Sequence, residues 1–506
     1  MLALVLYGAY LTPLPWGFHD WAQSDRLALA LGFYDYNFDF FHPRTLSLST
    51  VDSVTGVEPP VQAYLAGLLG LLVGRSHITI AFRCLDLTMM VVGFWFLFRL
   101  LFESTGRVLA GLVPVAFLLS SPIFLYYSGT YTPDPFSASL VFVALYFYWR
   151  FYYHDRQFRH LLWATGLTGL AMFVKIMAGV YFIGFTGVVL AVSYVRPSLL
   201  NWGQKLTFLG VVTLIILLQI SYVLYHRYLN EAYGNGLFLV EALPIKSMAQ
   251  HREIWEKVRD TWRLEYFTPA GYALVKICLG LMAAYAVVRW RRAVAYLPLA
   301  LFLVLATVGI GVLYVLLGPQ LLAHDYYPIA PLVPLLVLVV CCGVKALVDL
   351  LGSSRVAALG LPVLLLIGIA VPTYVGMRHH YARMTDPYKP HSDYYTYRWL
   401  VGGEQKLRAA GVPDKAFILV YGESAPNTAL VHFNHRGITW DPIISDTPPD
   451  TLLRIMAGRR LEYLVVSQQI RQRMEQENPA LLPPFQLVSC NEQFCIFKPR
   501  QRPVIW

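Results

Sequence analysis

Charged residues are scarce in this chain of 506 residues. Asp, Glu, Lys and Arg together make up 14% of it, whereas soluble globular domains contain about 25%. Hydrophobic residues make up 57%, so the composition excludes an ordinary soluble protein and predicts a polytopic membrane protein. The formal net charge of +10 does not indicate a nucleic-acid partner, because much of the Lys and Arg lies in short breaks between apolar runs, where it acts as an orientation signal.

Cysteine is rare as well, with six residues and no spacing typical of a metal site. Four of them lie in or beside apolar runs and are expected in the core. Cys490 and Cys495 form a local pair, which could be a disulfide in an oxidising compartment or two free thiols. The chain also lacks a tight His and carboxylate spacing of the HExxH kind, so the sequence leaves a divalent metal cofactor open.

Long apolar runs, in contrast, are abundant. A window of about 20 residues, the length of a membrane-spanning helix, predicts about eleven transmembrane helices. The run 60–74 is too short and is predicted to lie along the membrane surface. The predicted spans cover residues 1–15, 77–102, 108–125, 136–152, 161–174, 179–195, 206–225, 271–288, 293–317, 328–346 and 356–376.

The distribution of Lys and Arg predicts the orientation of these spans, because short cytoplasmic loops are enriched in both. The short connections 126–135 and 318–327 contain neither residue and are expected on the outer face, together with the loops 16–76 and 226–270. Alternate connections contain the basic residues and are expected to be cytoplasmic. These basic residues are Arg107, Arg150, Arg156, Arg159, Arg196, Lys205, Arg289, Arg291, Arg292, Lys345 and Arg355.

The composition changes after residue 376, where Pro, Asp, Arg and Gln become common. Short runs at 416–421, 463–467 and 490–498 resemble strands between helical stretches. The sequence therefore predicts a mainly α membrane domain over 1–376 and a small soluble α/β domain over 377–506, on the outer side of the inner (plasma) membrane.

Two acidic motifs fall on the predicted outer face. Asp25 ends the segment Trp21-Ala22-Gln23-Ser24-Asp25 in a loop that is rich in aromatic residues and closes with Glu58-Pro59-Pro60. A carboxylate among aromatic rings is partly desolvated, which raises its pKa and makes it a better proton acceptor. The second motif is Tyr131-Thr132-Pro133-Asp134-Pro135, at the outer end of the third predicted span.

The order of these motifs resembles the GT-C superfamily of membrane glycosyltransferases. The resemblance is specifically to the branch that holds the protein O-mannosyltransferases and the aminoarabinose transferases that modify lipid A. Lys175, in Phe173-Val174-Lys175, falls where that family often has a Lys near the donor phosphate. The resemblance covers roughly residues 16–180 closely and the remainder in general plan, with many spans followed by an outer soluble domain.

The resemblance implies an inverting glycosyltransferase. Such an enzyme takes a sugar from a polyprenyl or dolichyl phosphate and transfers it to a hydroxyl of a lipid, glycan or protein at the outer face. Because the phosphate is a good leaving group, one carboxylate suffices to deprotonate the acceptor. Asp25 is the candidate base, and Lys175 with Arg44 could meet the charge of the phosphate.

The remaining candidate residues have less specific roles. Asp134, a second catalytic candidate, and Glu58 could hold the acceptor or orient the two cations. They could also share a divalent metal with His324 and Asp325. Further candidate substrate-binding residues are Tyr131, His324 and Tyr327.

Structural roles remain open for several of these residues. Lys175 could be a residue whose charged end reaches the headgroup layer, and Asp134 could cap the helix that begins near Phe136. Tyr326 and Tyr327 could be ordinary interfacial aromatics.

Two other classes of protein are alternatives. A secondary transporter would show paired repeats and broken helices at the middle of the membrane, and the sequence shows no internal repeat. An O-antigen ligase or polymerase also uses polyprenyl-linked donors, but it concentrates essential Arg and His residues in a late loop. The donor sugar and the acceptor cannot be inferred from the sequence.

Overall fold

The computed structural model of the chain describes residues 6–236, 238, 242–351 and 355–500, and it is mainly helical. The helices, in chain order, are α1 (Asp20–Asp35), α2 (Val61–Val73), α3 (Ile78–Thr105), α4 (Val108–Leu118), α5 (Pro122–Tyr127), α6 (Pro133–Tyr153), α7 (Phe158–Val174), α8 (Gly179–Val195), α9 (Trp202–Tyr233), α10 (Met248–Lys257), α11 (Arg263–Tyr266), α12 (Pro269–Val288), α13 (Trp290–Ala293), α14 (Leu297–Leu317), α15 (Ile329–Leu351), α16 (Arg355–Thr385), α17 (Gly403–Ala409), α18 (Thr428–Phe433), α19 (Thr451–Arg459) and α20 (Gln468–Glu477).

The polytopic membrane class predicted from composition is confirmed. Within the described residues, seven helical segments are long and apolar enough to cross a membrane. The apolar helices α2 and α4 are shorter, and α2 occupies the short run predicted at 60–74. The seven segments are Arg75–Thr105, Ile176–Val195, Trp202–Tyr233, Pro269–Val288, Trp290–Leu322, Ile329–Leu351 and Gly360–Tyr388.

Two predicted spans differ from the helices of the structure. The run 108–125 is divided between α4 and α5, because the side chain of Ser121 caps a new helix by accepting a hydrogen bond from the Phe124 N–H, and Pro122 occupies its first position. Both are typical helix-start residues. Within the predicted span 1–15, residues 1–5 lie outside the described residues, and Gly8–Tyr10 form a 3₁₀ turn.

Contacts divide the described chain into two compact units. The first unit contains the described residues of 1–8, 83–224 and 240–384, and the second contains those of 9–82, 225–239 and 385–500. The second unit therefore combines the first loop with the C-terminal residues, an association that the sequence did not predict. The first unit is a helical bundle, in which α6 packs along α7 and α12 packs along α15.

The second unit contains a five-stranded sheet of β1 (Ile418–Tyr421), β2 (Gly437–Trp440), β3 (Tyr463–Ser467), β4 (Phe485–Cys490) and β5 (Phe494–Pro499). The order is β2-β1-β3-β5-β4. The first three strands are parallel, and β5 runs antiparallel to β3 and β4. β1 and β3 match the predicted runs 416–421 and 463–467. The third run, 490–498, contains a turn and β5, and a disulfide joins Cys490 to Cys495 across it.

The first loop pairs with the edge of this sheet. The Leu48 N–H donates to the Gly437 carbonyl over 2.7 Å, and the Gly437 N–H donates to the Leu46 carbonyl over 3.1 Å. The loop also passes close to α1, where a Cβ on Gly32 would lie 1.9 Å from the Arg44 carbonyl oxygen. Glycine is therefore needed at position 32, and these contacts hold α1 and the loop against the C-terminal sheet within one unit.

Candidate functional site

Asp25 is buried in the second turn of α1, with 3% of its surface exposed. The Asn427 Nδ2 donates a hydrogen bond of 2.8 Å to the Asp25 Oδ1. The Ser47 N–H donates to the Asn427 Oδ1 over 3.2 Å, which fixes the orientation of the amide because its oxygen and nitrogen each have a partner. Asn427 is fully buried and directly precedes α18. The sequence identified Asp25, but it did not identify Asn427.

Burial raises the pKa of Asp25 to about 7. Three neighbours act on it, in decreasing order of effect: the Asn427 hydrogen bond lowers the pKa, the positive charge of Arg26 lowers it further, and the negative charge of Asp20 raises it. Arg26 also forms an ion pair of 3.1 Å with Glu58. The negative charge of Asp25 is therefore partly compensated by a neutral amide and a nearby cation, and the carboxyl group can gain or lose a proton near neutral pH.

A polar cavity of about 250 Å³ lies one helical turn from Asp25. Trp21, which precedes Asp25 by four residues and so shares its face of α1, lines the cavity with Asp20, Tyr397, Ser424, Ala425 and Pro426. Pro426 directly precedes Asn427, the partner of Asp25. The cavity is thus lined by a residue one turn from Asp25 on α1 and by the residue next to its partner Asn427.

Two further carboxyl groups, at or next to the cavity lining, also have a raised pKa. Burial raises the pKa of Asp20 to about 6 and that of Glu423 to about 7, although the Ala425 N–H, which donates to Glu423 over 2.9 Å, opposes the second shift. Clusters of perturbed carboxyl groups in a concave site are typical of functional sites. The cluster formed by Asp20, Asp25 and Glu423 is the strongest such candidate within the described part of the second unit.

The other two candidates from the first loop have different partners. Glu58 pairs with Arg26, as described above. The Arg44 guanidinium lies 4.9 Å from the centre of the Tyr36 ring and 4.0 Å from the Asp39 carboxylate. A phosphate-binding role of Arg44 stays a prediction.

In the first unit, Asp134 and Lys175 lie at the same end of the α6 and α7 pair. The Ser137 hydroxyl of α6 donates to the Ala171 carbonyl of α7 over 2.9 Å. Asp134 is three residues before Ser137, and Lys175 is four residues after Ala171, so both lie about one turn beyond this bond. Asp134 is fully buried in the first turn of α6, which begins at Pro133 rather than near Phe136.

Lys175 contacts another predicted substrate-binding residue. Its Nζ lies 4.9 Å from the centre of the Tyr327 ring, within the range of a cation–π interaction. The His324 ring stacks on the Tyr327 ring with the centroids 4.8 Å apart. Tyr131, three residues before Asp134, has its ring centre 4.8 Å from the Arg83 guanidinium. Its left-handed φ of 68° is uncommon for a residue other than glycine.

Asp325 has a structural partner that the sequence did not indicate. Its carboxylate forms an ion pair with Arg383 and accepts a hydrogen bond of 2.7 Å from the Tyr127 hydroxyl. Arg383 also pairs with Glu265. Arg383 lies in α16, which extends to Thr385, beyond the predicted end of the last span at 376. A prediction that continued the last helix beyond residue 376 would have assigned Arg383 to the bundle.

A metal site was left open by the sequence, with Asp134, Glu58, His324 and Asp325 as candidate ligands. Across the residues that the structure describes, no group of three or more His, Cys, Asp or Glu side chains is arranged to hold a metal ion. Both Asp325 and Glu58 instead form ion pairs with arginines. Metal dependence therefore stays an open prediction.

Comparisons with known proteins agree with this architecture. Residues 57–226 match the family described as dolichyl-phosphate-mannose-protein mannosyltransferase. Two crystal structures of ArnT from Cupriavidus metallidurans, one bound to undecaprenyl phosphate and one in the apo state, each superpose with a TM-score of 0.61. They are 13% and 12% identical to this chain, and each alignment covers 98% of this chain and 96% of ArnT.

A third similar structure is the oligosaccharyltransferase of Archaeoglobus fulgidus in complex with zinc and sulfate. It has a TM-score of 0.52 and 11% identity, and the alignment covers 98% of this chain and 72% of that protein. A search of curated proteins gave no match. The predicted resemblance to the GT-C superfamily is thus confirmed. The chain has the fold of ArnT, and the mannosyltransferase family model matches one part of it, residues 57–226.

The ion pair of Arg383 gives a first prediction, which concerns stability. Arg383→Met leaves Asp325 buried without its cation and should destabilise the protein by about 3–5 kcal/mol. The double variant Arg383→Met/Asp325→Asn removes both charges and should recover much of that loss. Unfolding midpoints in one detergent measure both effects. A double variant no more stable than the single variant would show that the pair is not the cause.

Proposed function

We propose that this protein is an inverting glycosyltransferase that moves a sugar from a polyprenyl-phosphate donor to an acceptor hydroxyl. The observation that carries the proposal is the buried Asp25, held by Asn427 beside a polar cavity, with a pKa of about 7. A general base works best when its pKa lies near the working pH. The GT-C fold and the mannosyltransferase match of residues 57–226 support the choice of reaction.

In the proposed reaction, Asp25 takes the proton of the acceptor hydroxyl. Asn427 holds the Oδ1 atom of Asp25, which leaves Oδ2 to receive that proton. The acceptor oxygen attacks the anomeric carbon on the face opposite the phosphate, and the bond between that carbon and the phosphate oxygen breaks. The electron pair leaves with the phosphate, so the configuration inverts and no general acid is needed.

The lipid part of the donor fits a multi-pass membrane protein. Its isoprenoid tail remains in the bilayer while the sugar phosphate reaches the surface. The similar ArnT structure is described as bound to undecaprenyl phosphate, and this supports a polyprenyl donor here. Lys175 is the proposed cation for the phosphate, since its Nζ is held against Tyr327 at the end of the bundle.

The proposed location of the reaction is the outer face of the plasma membrane. The support comes from Lys and Arg, which cluster at one end of the helices, as in Arg289, Arg291 and Arg292 between α12 and α14. Such clusters favour the cytoplasmic side. The connection 318–327, which carries His324 and Tyr327 at the opposite end of α14, contains neither basic residue.

The test of the proposal uses Asp25→Asn. Purified protein is incubated with a panel of radiolabelled polyprenyl-phosphate sugars, and both transfer and hydrolysis of the donor are measured. The wild type should release sugar from at least one donor. Asp25→Asn should reduce the rate by about 10²- to 10⁴-fold, the usual contribution of a general base. Wild-type turnover in Asp25→Asn would remove Asp25 as the base.

Asn427 is proposed as a positioning residue, and its test is a pH profile. Because the Asp25 base must be deprotonated, kcat/KM should fall as the pH drops below about 7. Asn427→Ala removes a hydrogen bond that lowers the pKa of Asp25, so this acid limb should move to higher pH. The expected shift is about one to two units, given about 1.5–3 kcal/mol for a hydrogen bond to a charged group and 1.36 kcal/mol per pKa unit.

Asn478→Ala is the matched control, since Asn478 donates to the carbonyls of Ile444 and Thr447 in the same unit. It should lower stability without moving the acid limb. Equal pH profiles for Asn427→Ala and the wild type would contradict the positioning role of Asn427 and leave the role of Asp25 to its own test.

Lys175 gives a prediction for binding. Lys175→Met should weaken the binding of undecaprenyl phosphate by roughly 10- to 100-fold, because a hydrogen bond to a charged group contributes about 1.5–3 kcal/mol. Lys175→Arg should retain most of the affinity. Lys205→Met, which changes a Lys of the connection predicted to be cytoplasmic, is the control. Affinity in Lys175→Met equal to that of the wild type would exclude the phosphate role.

A further inference from the structure

A second cavity, of about 210 Å³, lies within the helical bundle of the first unit. It is lined by apolar and aromatic side chains of α3, α6, α12, α14 and α15, among them Leu100, Tyr148, Tyr285 and Leu299. For comparison, an apolar cavity of about 150 Å³ engineered into a protein core stays dry and binds benzene. The cavity is therefore large enough to hold part of a hydrocarbon chain.

This cavity lies at the opposite end of the bundle from Asp134 and Lys175. Tyr148 and Tyr153 line it from the C-terminal part of α6, whereas Asp134 is in the first turn of that helix. Fourteen or more residues of α-helix separate them, a distance of about 20 Å or more. Lys345 likewise lines the cavity from the C-terminal half of α15, so no step of the proposed transfer involves this cavity.

Basic residues lie in a connection that flanks the cavity at this end. The short connection between α12 and α14 carries Arg289, Arg291 and Arg292, all exposed, and residues on both sides of that connection, Ala286 and Ala293, line the cavity. Lys345 also lines it, and its charge is matched by an ion pair of 2.5 Å with Asp349. The three arginines therefore leave a net positive charge next to an apolar cavity.

We propose that this cavity binds one hydrocarbon chain of an anionic phospholipid, whose phosphate lies against Arg289, Arg291 and Arg292. The apolar lining would contact the hydrocarbon chain of the lipid, and the three arginines would bind its negative headgroup. Basic pockets between transmembrane helices are known to bind anionic headgroups. The site is independent of the proposed sugar transfer, because it lies at the other end of the same helices and its ligand is a bilayer lipid.

The test is native mass spectrometry of the purified full-length protein, titrated with dioleoyl-phosphatidylglycerol or dioleoyl-phosphatidylcholine. The wild type should retain one phosphatidylglycerol at least tenfold more tightly than phosphatidylcholine. Ala286→Phe places a ring at the cavity wall and should lower retention of phosphatidylglycerol at least tenfold. Ala284→Phe is the matched control, because Ala284 is an exposed residue of the same helix that does not line the cavity.

A triple variant, R289Q/R291Q/R292Q, changes only exposed side chains and keeps the test valid if Ala286→Phe fails to fold. It should abolish the preference for phosphatidylglycerol over phosphatidylcholine. Equal retention of the two lipids by the wild type would overturn the proposal, as would equal retention by the triple variant and the wild type. Displacement of the bound lipid by undecaprenyl phosphate at lower concentration than by phosphatidylglycerol would also overturn it, because the cavity would then hold the donor.

Discussion

Removing a carboxylate from water is costly unless polar groups replace the water, and this constraint divides the buried acids of the chain into two kinds. Asp325 is paired with the full positive charge of Arg383, which directly compensates its buried negative charge. Asp25 receives a hydrogen bond from the neutral amide of Asn427, so burial still raises its pKa to about 7. The nature of the partner thus separates a structural acid from one that can exchange a proton.

The Asp25 site depends on residues far apart in the sequence. Ser47, in the first loop, donates to the Asn427 amide, and the same loop pairs with Gly437 at the sheet edge. The C-terminal residues thus complete the surroundings of the candidate base within the second unit. The mannosyltransferase match covers residues 57–226. Asp25 precedes this segment and Asn427 follows it, so neither residue of the pair lies in it.

Composition and motif order predicted the membrane class, the GT-C resemblance and most of the long apolar helices, because hydrophobic runs of span length are a local signal. Lys175 and Tyr327 were both predicted to bind substrate, and they contact each other. Asn427 and Arg383 were missed because their partners lie 402 and 58 residues away, and such pairs leave no periodic pattern. The four-residue strand at Gly437–Trp440 was missed because it is too short to show alternation.

The position of Asn427 also bears on how strong a base Asp25 can be. A carboxylate in water, with a pKa near 3.9, is fully ionised at neutral pH but is a weak proton acceptor. Burial makes the Asp25 carboxylate a stronger acceptor, yet further burial without compensation would leave it protonated and inactive. The Asn427 hydrogen bond and the nearby charge of Arg26 oppose burial and hold the pKa at about 7. A neutral amide suits this balance better than a directly paired arginine, which would lower the pKa and weaken the base.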